Sequence, residues 1–169
     1  HGPNEVHRWL ADKNLITQNI DGLDGKAGNP AYIAIHGRLD QMTLFHEQGP
    51  CVDTYATPWD KVDEEQLEDS LLDLFKISKQ TLRPELGTSY KPYVLLFDEF
   101  YTELYRISEA QERMRQAQRI VFMGTSFSVN ITQMALETAS NYDIPVEIVD
   151  PKPVKIYYQN VTYHPMTAS

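Results

Sequence analysis

The sequence predicts an α/β fold in which a doubly wound, Rossmann-like parallel sheet carries a small inserted helical lobe. Short apolar runs of strand length alternate with stretches of helical period along most of the chain. Polar residues follow the ends of several predicted strands, which is where open parallel sheets bind ligands. We therefore expect a binding site at the carboxyl edge of the sheet.

Composition limits the classes of function. The chain has 169 residues, 41% of them hydrophobic and 23% charged, which suffices for one ordinary core and a small insertion. Its formal charge of -9 disfavours nucleic acid and favours basic partners such as lysine-rich segments. The single cysteine, Cys51, excludes an intrachain disulfide, and no apolar run reaches the roughly 20 residues of a membrane span. We expect a cytoplasmic or otherwise intracellular protein that binds no membrane.

The first part of the predicted core covers residues 1–38. Asn4 offers a side-chain cap for a short helix. The apolar residues of this helix are Val6, Trp9 and Leu10. Two short apolar strands are predicted at residues 15–20 and 32–35, and the second leads into His36.

Residues 39–91 form the predicted lobe. Seven acidic side chains and one lysine lie between Asp60 and Asp73. Four apolar side chains recur there at helical spacing: Leu67, Leu71, Leu74 and Phe75. This pattern predicts an amphipathic helix with a solvated acidic face.

Residues 92–169 complete the predicted core. Strands are expected at residues 93–97, 120–123 and 146–149. Ser108 and Gln111 form a plausible capping box for a helix that ends near Gln118, and residues 129–139 form the next helix. Alternation of strand and helix here is the main argument for a parallel sheet.

Three polar segments carry the candidate chemistry. The run from Ile16 to Leu23 reads ITQNIDGL, and Ala27-Gly28 and then His36-Gly37 follow it. Gln18, Asn19 and Asp21 can hydrogen-bond to a sugar or an amide. On its own, however, the tetrapeptide of residues 18–21 is more typical of a polar turn. Gly124-Thr125-Ser126 follows a strand and can approach a ribose or phosphate closely, or form an ordinary strand-to-helix turn.

Taken together, these segments resemble the core of the sirtuin family, the NAD-dependent protein deacylases. The resemblance implies that NAD is a co-substrate and that an acyl group passes from a lysine side chain to ADP-ribose with release of nicotinamide. It implies that Gln18 and Asn19 lie against the nicotinamide ribose and its ordered water. Ile20 and Asp21 would form the pocket for the carboxamide of nicotinamide.

His36 is the expected general base of this reaction, with Asn19 as a second catalytic residue. A neutral imidazole can accept a ribose hydroxyl proton at physiological pH, which Lys or Arg does not readily do. A lone histidine is otherwise more often a hydrogen-bonded core residue. The family context favours catalysis for His36.

The second ribose has its own expected partners. By resemblance, the loop of Gly124, Thr125 and Ser126 contacts the adenosine ribose, which is the second ribose of NAD. Asp150 contacts this second ribose at a position where the family commonly has Asn. An acidic side chain there accepts ribose hydroxyl hydrogen bonds and repels a 2'-phosphate. NAD is therefore expected rather than NADP.

The acyl-lysine peptide is expected to pair with the segment that ends the strand at residues 93–97. The residues implied are Leu95, Phe97, Asp98 and Glu99, with Phe97 lining the acyl-lysine tunnel. Asp98 departs from the family, which usually has glycine there, and it adds a side chain where a substrate backbone should approach. Any buried strand could carry the same apolar run.

Typical sirtuins hold a structural zinc ion with four cysteines between the catalytic histidine and this strand, whereas the present chain has only Cys51 there. His46, Glu47 and Asp53 could in principle assist it, but structural zinc sites normally use close-spaced pairs of Cys or His. We expect no zinc. The Leu and Phe side chains of the acidic helix would support the lobe instead.

The Gly-rich turn that cradles the pyrophosphate in this family has no counterpart among the eight glycines of the chain. A parallel sheet that lacks this first strand would expose apolar surface. We therefore expect a fragment of a longer protein, or a chain that pairs with another polypeptide. Two other functions stay open: an NAD hydrolase or ADP-ribosyltransferase that uses the same pocket, and a non-catalytic NAD-sensing module whose acidic helix contacts a partner.

Overall fold

The computed structural model describes residues 2–46, 52–96 and 99–168. Its helices and strands follow in the order α1 (Glu5–Trp9), β1 (Ile16–Thr17), α2 (Leu23–Lys26), β2 (Ile33–Ala34), β3 (Gly37–Leu44), β4 (Thr54–Ala56), α3 (Leu67–Leu74), β5 (Tyr90–Val94), α4 (Ile107–Arg115), β6 (Ile120–Met123), α5 (Asn130–Tyr142), β7 (Val146–Val149) and β8 (Val161–His164). Among these helices, none is long and apolar enough to cross a bilayer.

Parallel strands form the core. β1 pairs with β2, and β6, β7 and β8 form a second parallel sheet in that order. Ile33 and Ile35 from the first sheet and Val146 and Ile148 from the second are almost completely buried. They share one apolar cluster with residues of α4 and α5, so both sheets pack in the same core. The α/β class with parallel strands is confirmed.

A cavity of about 1180 Å³ separates the two parallel sheets, with β1 on one wall and β6 on the other. Neighbouring residues of a parallel strand direct their backbone groups to opposite edges. On the β6 wall, the amides of Ile120 and Gly124 bond to carbonyls of the β7 side. Val121 and Met123 therefore direct their backbone groups to the opposite edge, where the cavity lies.

The β1 wall repeats this arrangement. The carbonyls of Leu15 and Thr17 accept hydrogen bonds from amides on the β2 side. Ile16, between them, directs its backbone groups to the cavity edge. Two strand edges thus face each other across the cavity, since β1 and β6 are each the terminal strand of their sheet in the described part of the chain.

The lobe is only partly helical, which corrects the prediction. α3 is present, but β3 is the centre of a three-stranded antiparallel sheet in the order β4-β3-β5. The strand predicted at residues 93–97 begins earlier, at Tyr90, and pairs with this sheet rather than with the parallel core. Antiparallel pairing between β3 and β5 joins residues about 50 positions apart, and a local pattern does not show it. The domain boundaries at residues 38 and 92 stay a prediction.

The structure corrects some of the local predictions and confirms others. Ser108 does not cap α4: Arg106, in the left-handed region, precedes the helix, and the Ser108 hydroxyl bonds to Glu103 instead. β8, which ends at His164, is a strand that the sequence analysis does not predict. The strands predicted at residues 15–20 and 32–35 shorten to two residues each. Asn4 does cap α1, as its side chain accepts the amide of His7 at 3.0 Å.

Candidate active site

His36 follows β2 and is held by Gly37 at the start of β3. Gly37 has a φ of +81°, and a Cβ atom there would lie 2.1 Å from the backbone oxygen of Tyr93. Only glycine allows this close approach between β3 and β5. The carbonyl of His36 also accepts the amide of Leu95 at 2.9 Å. The backbone around His36 is therefore fixed from both sides.

Both ring nitrogens of His36 have hydrogen-bond partners. Nδ1 lies 3.1 Å from the carbonyl oxygen of Gln18, and Nε2 lies 2.9 Å from the hydroxyl of Tyr101. Burial lowers the pKa of His36 below its ordinary value of 6.5, and the Gln18 carbonyl opposes this effect. The imidazole is thus neutral at physiological pH, which is the form that can accept a proton.

The Gln18 side chain connects the two walls of the cavity. Its Nε2 donates to the hydroxyl of Thr125 at 3.4 Å, although the two residues lie 107 positions apart in the sequence. Asn19, Gly124 and Ser126 line the same cavity. The structure therefore brings together two of the polar segments singled out in the sequence, with His36 bonded to the backbone of one of them.

Ile20 and Asp21 lie beside this cavity but not on its wall. The Asp21 carboxylate accepts the amide of Leu23 at 3.0 Å, at the start of α2, and its side chain is exposed. The carbonyl of Ile20 accepts the amide of Leu39 at 2.9 Å. The polar-turn interpretation thus describes the present contacts of Asp21, and its role toward nicotinamide stays a prediction.

Asp150 comes at the end of β7, as the sequence predicts, and is held in a turn. Its amide bonds to the carbonyl of His164 at 3.2 Å, and its carboxylate accepts the amide of Lys152 at 2.7 Å. It does not line the cavity that holds Gln18 and Thr125. Its contact with a second ribose stays a prediction.

The predicted peptide segment is described only in part, because Phe97 and Asp98 lie outside the described residues. Leu95 is half-buried and bonds to His36 as noted. The Glu99 carboxylate forms an ion pair with Lys91 and also accepts the amide of Leu96 at 2.9 Å. This ion pair is largely buried and fixes the end of the segment beside β5.

Two residues with unexpected positions were missed by the sequence interpretation. Tyr101 bonds to His36 across 65 positions, and no local pattern indicates such a contact. Asp24 is buried in α2 and lines the cavity. Burial raises the pKa of Asp24, against opposing influences of His7 and the Thr17 hydroxyl. The one sequence signal that could have indicated the burial of Asp24 is its carboxyl group inside an otherwise amphipathic segment.

The part of the chain that the structure describes contains no group of three or more His, Cys, Asp or Glu side chains able to hold a metal ion. Glu47 and Cys51, two of the four residues considered as zinc ligands, lie outside the described residues. The absence of zinc therefore stays a prediction.

The chemistry of the cavity wall fits a sugar. Amide and hydroxyl side chains of Gln18, Asn19, Thr125 and Ser126 offer donors and acceptors at the carboxyl ends of β1 and β6, where open α/β sheets bind ligands. Gly124 has a φ of +59° and no atom within 4 Å of a Cβ position, so its backbone stays open to close approach. His36 does not line this cavity itself, but its neutral imidazole bonds to the backbone of Gln18, which does.

Comparisons with known proteins agree with this chemistry. The model of the Sir2 family matches residues 2–131. An NAD-dependent protein deacetylase of Sulfurisphaera tokodaii is 34% identical over 75% of this chain and 46% of its own length. The NAD-dependent deacetylase sir2E of Dictyostelium discoideum is 32% identical over 78% of this chain and 41% of its own. The chain spans about half the length of these relatives.

Solved structures are similar in fold. A structure described as the structural basis for sirtuin substrate affinity superposes with a TM-score of 0.69 and 21% identity, covering 99% of this chain and 68% of the other. A Sir2 homologue in complex with NAD gives a TM-score of 0.68 at 20% identity, covering 99% and 60%. Sir2Af2 bound to a myristoylated histone peptide gives 0.61 at 25% identity, covering 90% and 61%.

Proposed function

Because this chain belongs to the Sir2 family, we propose that it is the catalytic core of an NAD-dependent protein lysine deacylase. The acyl group passes from a lysine side chain to ADP-ribose, and nicotinamide is released. The observation that carries the proposal is a half-buried histidine, His36, that is held neutral at the end of a parallel strand and bonded to the backbone of Gln18.

His36 acts as the general base in this proposal. NAD supplies the ribose whose hydroxyl is activated, and the imidazole accepts its proton, so that the ribose oxygen attacks the carbon derived from the acyl group. Burial favours this step because a ring with a lowered pKa stays neutral at neutral pH, with one nitrogen able to accept a proton. An orientation fixed by Gln18 keeps the acceptor nitrogen in place.

The sugars are bound by the polar wall of the cavity. Gln18 and Asn19 hydrogen-bond to the nicotinamide ribose, with Ile20 and Asp21 beside the carboxamide. Gly124, Thr125 and Ser126 contact the adenosine ribose. The hydrogen bond from Gln18 to Thr125 supports this arrangement, since the two segments contact each other directly.

The acyl-lysine peptide lies along the segment from Leu95 to Glu99. Solved relatives include a Sir2 complex with a p53 peptide and NAD+, and the Sir2Af2 complex with a myristoylated histone peptide. The amide of Leu95 donates to the carbonyl of His36, which supports a peptide position near the proposed base.

Nicotinamide release tests the proposal. Full-length protein is incubated with NAD, with and without an acetyl-lysine peptide, and nicotinamide and deacetylated peptide are both measured. A deacylase releases nicotinamide only with the peptide and in equal amount to the lysine product. Release that ignores the peptide would show instead an NAD hydrolase or ADP-ribosyltransferase, the alternative that Asp98 in place of glycine favours.

Calorimetry separates both enzymes from a binding module. The full-length protein is titrated with NAD up to millimolar concentration. Binding without any turnover, in the presence of acylated peptide, would identify an NAD-sensing module. Failure to bind NAD at all would contradict every function in which this cavity holds the nucleotide.

A further inference from the structure

The hydrogen bonds of His36 determine which of its nitrogens carries a hydrogen. A carbonyl oxygen can only accept, so Nδ1 must donate to the Gln18 carbonyl, 3.1 Å away. In the neutral ring, Nε2 then presents a lone pair. The hydroxyl of Tyr101, 2.9 Å from Nε2, donates to it. The phenol thus occupies the nitrogen that would act as the base.

Tyr101 is itself held in place. Its ring packs against the apolar core and lies nearly parallel to the imidazole, with 14° between the two planes and 5.9 Å between the ring centres. Burial raises the pKa of Tyr101, and the backbone amide of Ile131 in the first turn of α5 partly opposes this. The phenol therefore keeps its hydrogen at neutral pH and remains a donor.

We propose that Tyr101 is a positioning residue for His36, whose hydroxyl donates to Nε2, keeps that nitrogen unprotonated, and gives way to the substrate hydroxyl there. The hydrogen bond to Nε2 and its effect on protonation are properties of the chain alone, whereas the exchange with substrate rests on the proposed function. In the exchange, the phenol keeps its own proton. The ribose hydroxyl takes its place at Nε2 and transfers a proton there, which leaves an imidazolium and a ribose oxygen with a free electron pair.

Position and chemistry single out Tyr101 for this role. It approaches His36 from the segment that follows Glu99, so it contacts the base from the side of the proposed peptide segment. Through Ile131 it also contacts α5, the helix that follows the loop containing Thr125. One hydroxyl thereby connects the proposed base with the first turn of α5.

Tyr101→Phe tests the proposal, because it keeps the packed ring and removes only the hydroxyl. The readout is the titration of the His36 ring carbon and nitrogen signals by NMR in the full-length protein. A donor to Nε2 stabilises the neutral ring, so the pKa of His36 should rise in the variant, and the Nε2 shift should show loss of the donated hydrogen bond.

Tyr105→Phe is the matched control. Tyr105 is 3% exposed and stacks on Tyr93, and its hydroxyl has no hydrogen-bond partner among the described residues. Removing that hydroxyl should leave the His36 titration as it is in the unmodified protein. Thermal unfolding of both variants verifies that they remain folded.

Turnover provides the second readout. In Tyr101→Phe, the acid limb of the pH profile of kcat/KM for nicotinamide release should move to higher pH. The rate at pH 6 should fall about two- to tenfold, the range that one hydrogen bond accounts for. KM for the peptide should change little.

The two readouts separate the possible failures. An unchanged pKa of His36 and an unchanged Nε2 shift in Tyr101→Phe would overturn the proposal whatever the turnover. A raised pKa of His36 in a protein that never releases nicotinamide would support the effect of the Tyr101 hydroxyl on the imidazole. It would contradict the proposed function. A raised pKa together with a shifted acid limb supports both.

Discussion

At the scale of single residues, His36 is held in the form that can accept a proton. Replacing it by alanine removes the base but none of the side chains that line the cavity. We expect His36→Ala to lower kcat for nicotinamide-linked deacylation by about 10²- to 10⁴-fold, the usual contribution of a general base. NAD affinity, measured by calorimetry, should remain within a few-fold. An equal loss of binding would mean that His36 has a structural role.

Gly37 is the second residue on which the site depends. An alanine there requires a left-handed backbone and also pushes its Cβ to 2.1 Å from the Tyr93 oxygen. We expect Gly37→Ala to lower the free energy of unfolding by at least about 2 kcal/mol. Urea denaturation followed by circular dichroism measures this change.

Gly28→Ala is its control. Gly28 has a φ of +101°, and no atom lies within 4 Å of its Cβ position. This variant has the conformational strain without the collision, so it should lose less stability than Gly37→Ala. Equal losses in the two variants would show that the contact between β3 and β5 relaxes freely.

At the scale of elements, Tyr158 fastens the end of α5 to the strand that follows it. Its hydroxyl lies 3.1 Å from the carbonyl oxygen of Ala139 and 2.8 Å from that of Ile144. Tyr158→Phe leaves both carbonyls without this donor and should cost about 1 kcal/mol of unfolding free energy. Tyr157 is fully exposed, so Tyr157→Phe should change nothing measurable in the same urea titration. A loss of unfolding free energy in Tyr157→Phe alone would contradict the stabilising role assigned to the Tyr158 hydroxyl.

The elements also show what a sequence reveals. β6 and β7 were predicted with their observed bounds, because short apolar runs between polar residues are typical of buried parallel strands. β3 was missed, since its residues are mostly half-buried and do not alternate. β8 alternates Val161 and Tyr163 with polar residues and could have been found by that pattern.

The same contrast holds for the site. Gln18, Thr125 and His36 were identified because they belong to segments that resemble a known family. Tyr101 was not, since its contact with His36 depends on how the chain returns after β5 and not on any local pattern. The roles of Asp21 and Asp150 depend on a ligand, and the contacts within the chain alone do not reveal them.

At the scale of the whole molecule, the two facing strand edges should be visible in hydrogen exchange. In the chain of residues 1–169, the amides of Ile120 and Gly124 bond toward β7, whereas those of Val121 and Met123 face the cavity. We expect the second pair to exchange at least about tenfold faster. NMR exchange rates residue by residue measure this alternation. Uniform protection along β6 would show that its outer edge is bonded.

These edges have a further consequence for how molecules of this chain meet one another. Edge strands in natural proteins usually carry lysine, proline or a bulge that discourages adhesion, and neither the Ile120–Met123 segment nor the Ile16–Thr17 segment has a lysine or proline. Both segments have the composition of interior strands of a sheet. At high concentration, another polypeptide can add a strand to either edge. The chain should therefore aggregate unless another segment or chain covers these two edges.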